Sequence, residues 1–292
     1  MPTIRANGIE IWYDLVGSAG NPDLVLNHGW LGPTDEWPPG VLDGLARQLR
    51  VLVYDVRGHG RTTAPEDPDA YSLPIYAQDL RALLDALDIE RPHIGGSSQG
   101  GMIAAQFVAD YPERARSLLL CDSSAGNGLD EGPGGQWERT MRSAFEAMEQ
   151  IVRERGLAEL AELRIQADRK RDPHYFDYPE PTEGRERLDR ERHTRIPLPV
   201  FIGTNRAIRN RPDLTARMRE LQMPALVLVG EWDDFRPCAE RDHALIEGSR
   251  FVLVRRSGHG TPSWRPDAFV RAVTEFIADV EAGRDVASEL EL

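Results

Sequence analysis

The 292-residue chain sets 35 Lys and Arg against 48 Asp and Glu, a net charge of −13, with 40 % hydrophobic and 28 % charged residues. It is long enough to bury a core as one large domain or two small ones, and its acidic balance argues against nucleic acid or an anionic membrane as a partner. With only two cysteines, Cys121 and Cys238, no basic-then-apolar N-terminus and no apolar run of membrane-spanning length, a cytoplasmic protein is expected.

In chain order, Asn7-Gly8 between two β-rich runs, Thr3–Arg5 and Ile9–Tyr13, predicts a hairpin. Leu24-Val25-Leu26 reads as a short strand ending in Asn27-His28-Gly29-Trp30, and a helix is expected from about Val41 to Leu49. Val51–Tyr54 is the next strand, ending in Asp55-Val56-Arg57-Gly58-His59-Gly60. A helix is predicted over Ser72–Asp88, capped by Ser72, with Leu80, Leu83, Leu84 and Leu87 on one face.

The next strand ends in Gly96-Ser97-Ser98-Gln99-Gly100, and a helical pattern (Ile103, Ala104, Phe107, Val108) follows directly. Gly-x-Ser-x-Gly between a strand and a helix is the sequence form of a nucleophile elbow, a strained turn that lifts a serine hydroxyl above a sheet. Of the two serines, only Ser98 has glycine two residues before and two after. The alternative is an ordinary Gly/Ser loop, so the rest of the chain has to supply a base, an acid and an oxyanion hole.

Ser117–Cys121 is a further strand. From Ser123 to about Leu221 the rhythm changes to helices, roughly Gln136–Arg155, Leu157–Lys170 and Glu183–Arg195. Pro199–Ile202 is too isolated to assign, and Asp172–Pro181 reads as an aromatic-rich loop that either lines a pocket or packs locally. Glu183/Arg187, Glu186/Arg190 and Glu191/Arg195 are i, i+4 pairs of favourable order, marking a solvated helix face. Strand–helix alternation returns with Ala225–Val229, a helix near Cys238–Ile246, the strand Arg250–Val254 and a helix from about Pro266 to Val280. The polar tail, 283–292, is expected to fray.

Alternating strands and helices imply a mostly parallel sheet covered on both faces, with a site at the carboxyl ends of its strands. The organisation expected is a core of residues 1–122 and 222–292 and a helical cap insertion of 123–221. In chain order, past strand ends, lie Ser98, then an acid, Asp233 or its neighbour Asp234, after Gly230-Glu231-Trp232, then His259 after Ser257-Gly258. A serine hydroxyl becomes a nucleophile when a base removes its proton, histidine does so near neutral pH, and a buried carboxylate fixes its tautomer. Asp234 and Asp122 stand as alternative acids. His28 and His59 read as loop-shaping residues. No phosphate loop, dinucleotide fingerprint or metal-ligand cluster occurs, so no cofactor and no metal are expected.

His28-Gly29-Trp30, Asp55-x-Arg57-Gly58-x-Gly60, Gly96-x-Ser98-x-Gly100-Gly101, Gly230-x-x-Asp233 with Pro237, and Gly258-His259 with Trp264-x-Pro266 occur in that order. In them the chain resembles the α/β-hydrolase superfamily over nearly all but the helical insertion. Through Tyr111-Pro112-Glu113-Arg114 and Leu120-Cys121-Asp122 it looks most like the branch of 3-oxoadipate enol-lactonases, esterases and haloperoxidases. The resemblance implies an α/β fold with a helical cap and a triad of Ser98, His259 and Asp233. It also implies an oxyanion hole from the backbone N–H groups of Trp30 and Gln99, and a small-molecule ester or lactone substrate. Carbon–carbon bond hydrolysis, cofactor-free perhydrolysis or haloperoxidation on the same triad, and a receptor-like binder with little turnover, are the other readings. Homo-oligomerisation is left open.

Overall fold

The computed structural model describes residues 2–38 and 40–292. Short apolar runs separated by helical segments build one nine-stranded sheet. The hairpin β1 (Thr3–Ala6) and β2 (Ile9–Val16) turns on Asn7 and Gly8, both at positive φ, the backbone geometry that an Asn-Gly turn supplies without penalty. Next come β3 (Asp23–Asn27), α1 (Val41–Ala46), β4 (Arg50–Tyr54), α2 (Leu73–Ala86), β5 (His93–Ser97), α3 (Gln99–Asp110) and β6 (Ser117–Cys121). Five helices follow: α4 (Pro133–Arg155), α5 (Leu157–Arg171), α6 (Thr182–Arg195), α7 (Leu198–Arg209) and α8 (Thr215–Arg219). The chain then returns to the sheet with β7 (Ala225–Gly230), α9 (Arg236–Leu245), β8 (Arg250–Val254), α10 (Thr261–Trp264), α11 (Pro266–Glu281) and β9 (Ser288–Glu291).

Spatial order is β1-β2-β4-β3-β5-β6-β7-β8-β9; the pairs β1–β2 and β2–β4 are antiparallel and every pair from β4–β3 onward is parallel. The central strands are buried on both faces, and successive side chains alternate between two cores. Val25, Leu52, Ile94, Leu120 and Val227 pack with α2 and α3 through Leu80, Leu83, Ile103 and Phe107. Leu24, Leu26, Val51, Leu119 and Leu226 pack with α1 and α11 through Val41, Leu45, Phe269 and Phe276. Ser72 caps α2 by accepting from the Ile75 N–H (3.3 Å).

Parallel register is what gathers the site. Asn27 lies opposite Gly96, Ser97 opposite Cys121, and Gly230 opposite Val254. The segments just past these residues therefore share one edge of the sheet.

Three elements depart from the sequence reading. The unassigned run Pro199–Ile202 lies inside helix α7, where Pro199 occupies the first turn and Val200, Phe201 and Ile202 are buried. Residues 215–219 add the short helix α8. The tail expected to fray instead supplies an edge strand, β9, in register with β8 from Arg250↔Ser288 to Leu253↔Glu291. Arg250 fastens it by donating to the Val286 carbonyl (3.2 Å) and the Ser288 hydroxyl (3.1 Å).

Candidate active site

Gly-x-Ser-x-Gly has a steric cause in this fold. A Cβ on Gly96 would lie 2.5 Å from the Gly100 backbone, and one on Gly100 would lie 2.0 Å from the Asn27 carbonyl oxygen. The elbow, the start of α3 and the end of β3 touch through backbone alone. Ser98 sits between them at φ 56°, ψ −119°, a strained conformation for a residue with a side chain. The Ser98 N–H donates to the Cys121 carbonyl (2.9 Å), and the Ser123 hydroxyl donates to the Ser98 carbonyl (2.7 Å). The turn is thus fixed from the β6 side.

His259 Nε2 lies 3.0 Å from Ser98 Oγ. Its Nδ1 lies 3.1 Å from each carboxylate oxygen of Asp233. Asp233 is buried, whereas the His259 side chain is 44 % exposed. The Phe235 N–H donates to Asp233 Oδ1 (2.8 Å), an Asx-type turn that aims the carboxylate. The Phe235 ring stacks on the imidazole with centroids 5.1 Å apart. Loss of hydration on its inner edge disfavours the imidazolium. The charge and hydrogen bond of Asp233, together with the charges of Asp122 and Asp234, outweigh that loss and raise the histidine to about 9.

The three carboxylates weighed from sequence fall in different places. Asp233 is the one in contact with His259. Asp234 is exposed, 3.6 Å from Arg171. Asp122 is fully buried beneath the site and accepts from the backbone of both flanking loops.

The backbone N–H groups of Trp30 and Gln99 have no acceptor among the described residues. That of Gln99 opens α3, where the helix's first N–H groups are unpaired and its dipole favours negative charge. His28 shapes the Trp30 loop. Its Nε2 accepts from the Val56 N–H (2.9 Å), so the proton is on Nδ1, 2.8 Å from the Gly29 carbonyl. Burial lowers its pKa and keeps it neutral. His59 is likewise buried, with Nδ1 3.1 Å from the Arg57 carbonyl.

Several neighbours of the site carried no signal in the sequence. The Trp30 indole projects into the five-helix segment. Its ring lies 5.0 Å from Phe145 on α4 and 5.5 Å from Phe201 on α7, with the Arg164 guanidinium of α5 5.2 Å away. The aromatic-rich loop 172–181 packs on the acid- and histidine-bearing segments. His174 stacks on Trp232 at 3.6 Å, and Tyr178 meets Trp264 at 4.5 Å. These contacts depend on residues far apart in sequence; only the aromatic content of the loop hinted at them. Among the described residues, no group of three or more His, Cys, Asp or Glu side chains is placed to hold a metal ion, and no helix is long and apolar enough to cross a membrane.

Sheet order, the strand-to-helix serine turn and the residues on the sheet edge define the fold class, and comparison with known families agrees. The family described as "alpha/beta hydrolase fold" matches residues 22–195, and the chain belongs to it. A protein of Bacillus subtilis provisionally named 2-succinyl-6-hydroxy-2,4-cyclohexadiene-1-carboxylate synthase is 28 % identical over 90 % of this chain and 93 % of its own. A 2-hydroxy-6-oxo-2,4-heptadienoate hydrolase of Pseudomonas putida is 28 % identical over 94 % of this chain and 95 % of its own. Among solved structures, the enol-lactonase of Burkholderia xenovorans LB400 superposes with a TM-score of 0.78 at 24 % identity, covering 95 % of this chain and all of its own. That last likeness is one of fold.

Proposed function

We propose that this α/β hydrolase cleaves a carboxylic ester or lactone through an acyl-enzyme on Ser98. The observation that carries the reading is the unbroken chain Ser98 Oγ–His259 Nε2–Asp233, at 3.0 and 3.1 Å, on a serine held in a strained turn. His259 takes the Ser98 proton as Oγ attacks the acyl carbon, then delivers it to the departing alkoxide. In the second half-reaction it takes a proton from water, whose oxygen attacks the acyl carbon, and returns that proton to Ser98 Oγ as the acyl–Oγ bond breaks. Asp233 holds the imidazole with Nδ1 protonated and stabilises the imidazolium. The unpaired N–H groups of Trp30 and Gln99 receive the developing oxyanion, each worth about 3 kcal/mol of barrier. The five helices over the strand ends act as the cap that shapes the acyl pocket. No step calls for a metal or a cofactor.

The test is turnover of a panel of p-nitrophenyl esters and simple lactones beside Ser98→Ala. Hydrolysis by the native protein that falls at least about a thousandfold in the variant is expected. Equal rates in both would overturn the reading. A second reading, hydrolysis of a carbon–carbon bond in a diketone-like acid on the same triad, is favoured by the near-full-length likeness to the Pseudomonas putida hydrolase. Fast cleavage of a vinylogous diketone with poor ester turnover would select it. Perhydrolysis on the same triad has the support of a likeness, 24 % identical over 93 % of this chain, to a bifunctional esterase/perhydrolase of Acinetobacter calcoaceticus; receptor-like binding rests on no further observation.

A further inference from the structure

The reading above gives Asp122 no task, yet it is one of the most tightly held side chains near the site. Its exposure is 0 %, and its backbone sits at φ 47°, the left-handed region that aspartate tolerates better than most residues. Oδ1 accepts from the Gly230 N–H (3.2 Å) and the Thr261 hydroxyl (2.8 Å). Oδ2 accepts from the Thr261 N–H (2.6 Å) and the Cys121 thiol (3.3 Å). Gly230 is three residues before Asp233, and Thr261 is two residues after His259. One carboxylate at the end of β6 thus ties down both loops that carry the histidine and its acid, while the Asp122 N–H donates to the Leu228 carbonyl of β7 (2.9 Å).

We propose that Asp122 is a positioning residue that clamps the acid-bearing and histidine-bearing loops together, so that Asp233, His259 and Ser98 meet. The inference rests on Ser98 being an activated nucleophile. A carboxylate suits the clamp because two oxygens face four donors on three residues. An amide in the same place would turn an NH2 against at least one backbone N–H. Burial and the nearby Asp233 charge raise the Asp122 pKa to about 7, while the Thr261 donors favour the ionised form. As a second carboxylate near His259, Asp122 also supports the imidazolium. The groups facing this cluster are Asp233 and Ser98 on His259, Phe235 on its ring, Asp234 at longer range, and Cys121 and Thr261 on Asp122.

The experiment compares native protein with Asp122→Asn and Thr261→Val. It follows the rate of Ser98 phosphonylation by a fluorophosphonate from pH 5 to 10, kcat and KM on the best ester, and Tm. Both variants should react with the phosphonate about tenfold or more slowly, with kcat falling likewise and KM nearly unchanged, as displaced catalytic geometry requires. In Asp122→Asn, loss of a negative charge beside His259 should also move the midpoint of the pH profile downward. Thr261→Val keeps the charge and should leave the midpoint in place. Lower Tm with phosphonylation within twofold of native and an unmoved midpoint would make Asp122 merely structural and overturn the proposal. If Asp122→Asn does not fold, a native rate in Thr261→Val overturns it alone. Native protein that is phosphonylated but hydrolyses no ester breaks the ester reading and leaves this one standing. Native protein inert to the phosphonate removes both.

Discussion

At the scale of single residues, the proposed mechanism turns on His259. A general base must be neutral to accept the serine proton. A histidine raised to about 9 by Asp233 is mostly imidazolium at pH 7, so its basic form grows as pH rises. The ascending limb of kcat/KM should therefore have its midpoint above 6.5, on the alkaline side of an ordinary histidine. Asp233→Asn removes the main charge holding that proton. Its midpoint should move down while the plateau falls by about 10³ to 10⁴, because an amide no longer selects the Nδ1–H tautomer. A pH–rate series on both proteins tests this; a midpoint that stays put in the variant would mean that Asp233 does not set the histidine. Asp234, exposed and beside Arg171, provides the control, since Asp234→Asn should leave the plateau nearly unchanged.

At the scale of elements, the elbow is a packing junction as much as a catalytic turn. Gly100→Ala would drive a methyl group into the Asn27 carbonyl, a backbone atom that cannot swing aside. A loss of about 3 kcal/mol in unfolding free energy is expected, with lower activity in the folded fraction as Ser98 is pushed off its position. An unchanged denaturation midpoint would sink this account. The same junction explains why the Ser98 turn was legible in the sequence: its motif is written in glycines that the backbone contacts demand. Strands β3, β4, β6, β7 and β8 were legible too, because burial on both faces leaves short apolar runs, and β5 was legible from the motif that ends it. Helix α7 was not. Leu198–Ile202 is β-branched and aromatic, and its helical state comes from packing with α4 and Trp30, which no local pattern records. Strand β9 was missed for a related reason. Ser-Glu-Leu-Glu has no strand signal of its own and is ordered by the free edge of β8 and by Arg250. Among the three candidate acids, the family resemblance pointed to Asp233, but the separate places of Asp122 and Asp234 emerge only when the β6 and β7 loops are folded over one another.

At the scale of the whole molecule, helix α4 of the five-helix segment and α9 of the sheet region share a buried ionic junction. Glu138 of α4, wholly buried, accepts from Arg241 of α9 (3.0 and 3.1 Å), from Arg211 (3.3 Å) and from the Gly128 N–H (2.6 Å). Other buried titratable groups make stability depend on pH in opposing directions. Burial, and then the neighbouring His28, lowers His59 to about 3. Burial lowers His93 to about 4 against the pull of Glu281. For both, the unfolded chain binds the extra proton below 6.5, so each withdraws stability as pH falls from 6.5 toward its folded value. Asp122 and Asp242 are raised by burial, to about 7 and about 6, and act with the opposite sign: the folded state holds their protons, and stability is lost as pH rises from 3.8 through those values. The net slope of the native protein therefore mixes both, but a difference between variants isolates one. His59→Phe keeps a ring beside His28, gives up the contact with the Arg57 carbonyl and leaves no proton to gain. Between pH 7 and pH 5 the native protein should lose about 2 kcal/mol more unfolding free energy than the variant, which is His59's share of the linkage over that window. Urea unfolding of both proteins at the two pH values measures it. Equal losses would show that His59 titrates alike in the folded and unfolded chain, and that its burial beside His28 carries no electrostatic cost.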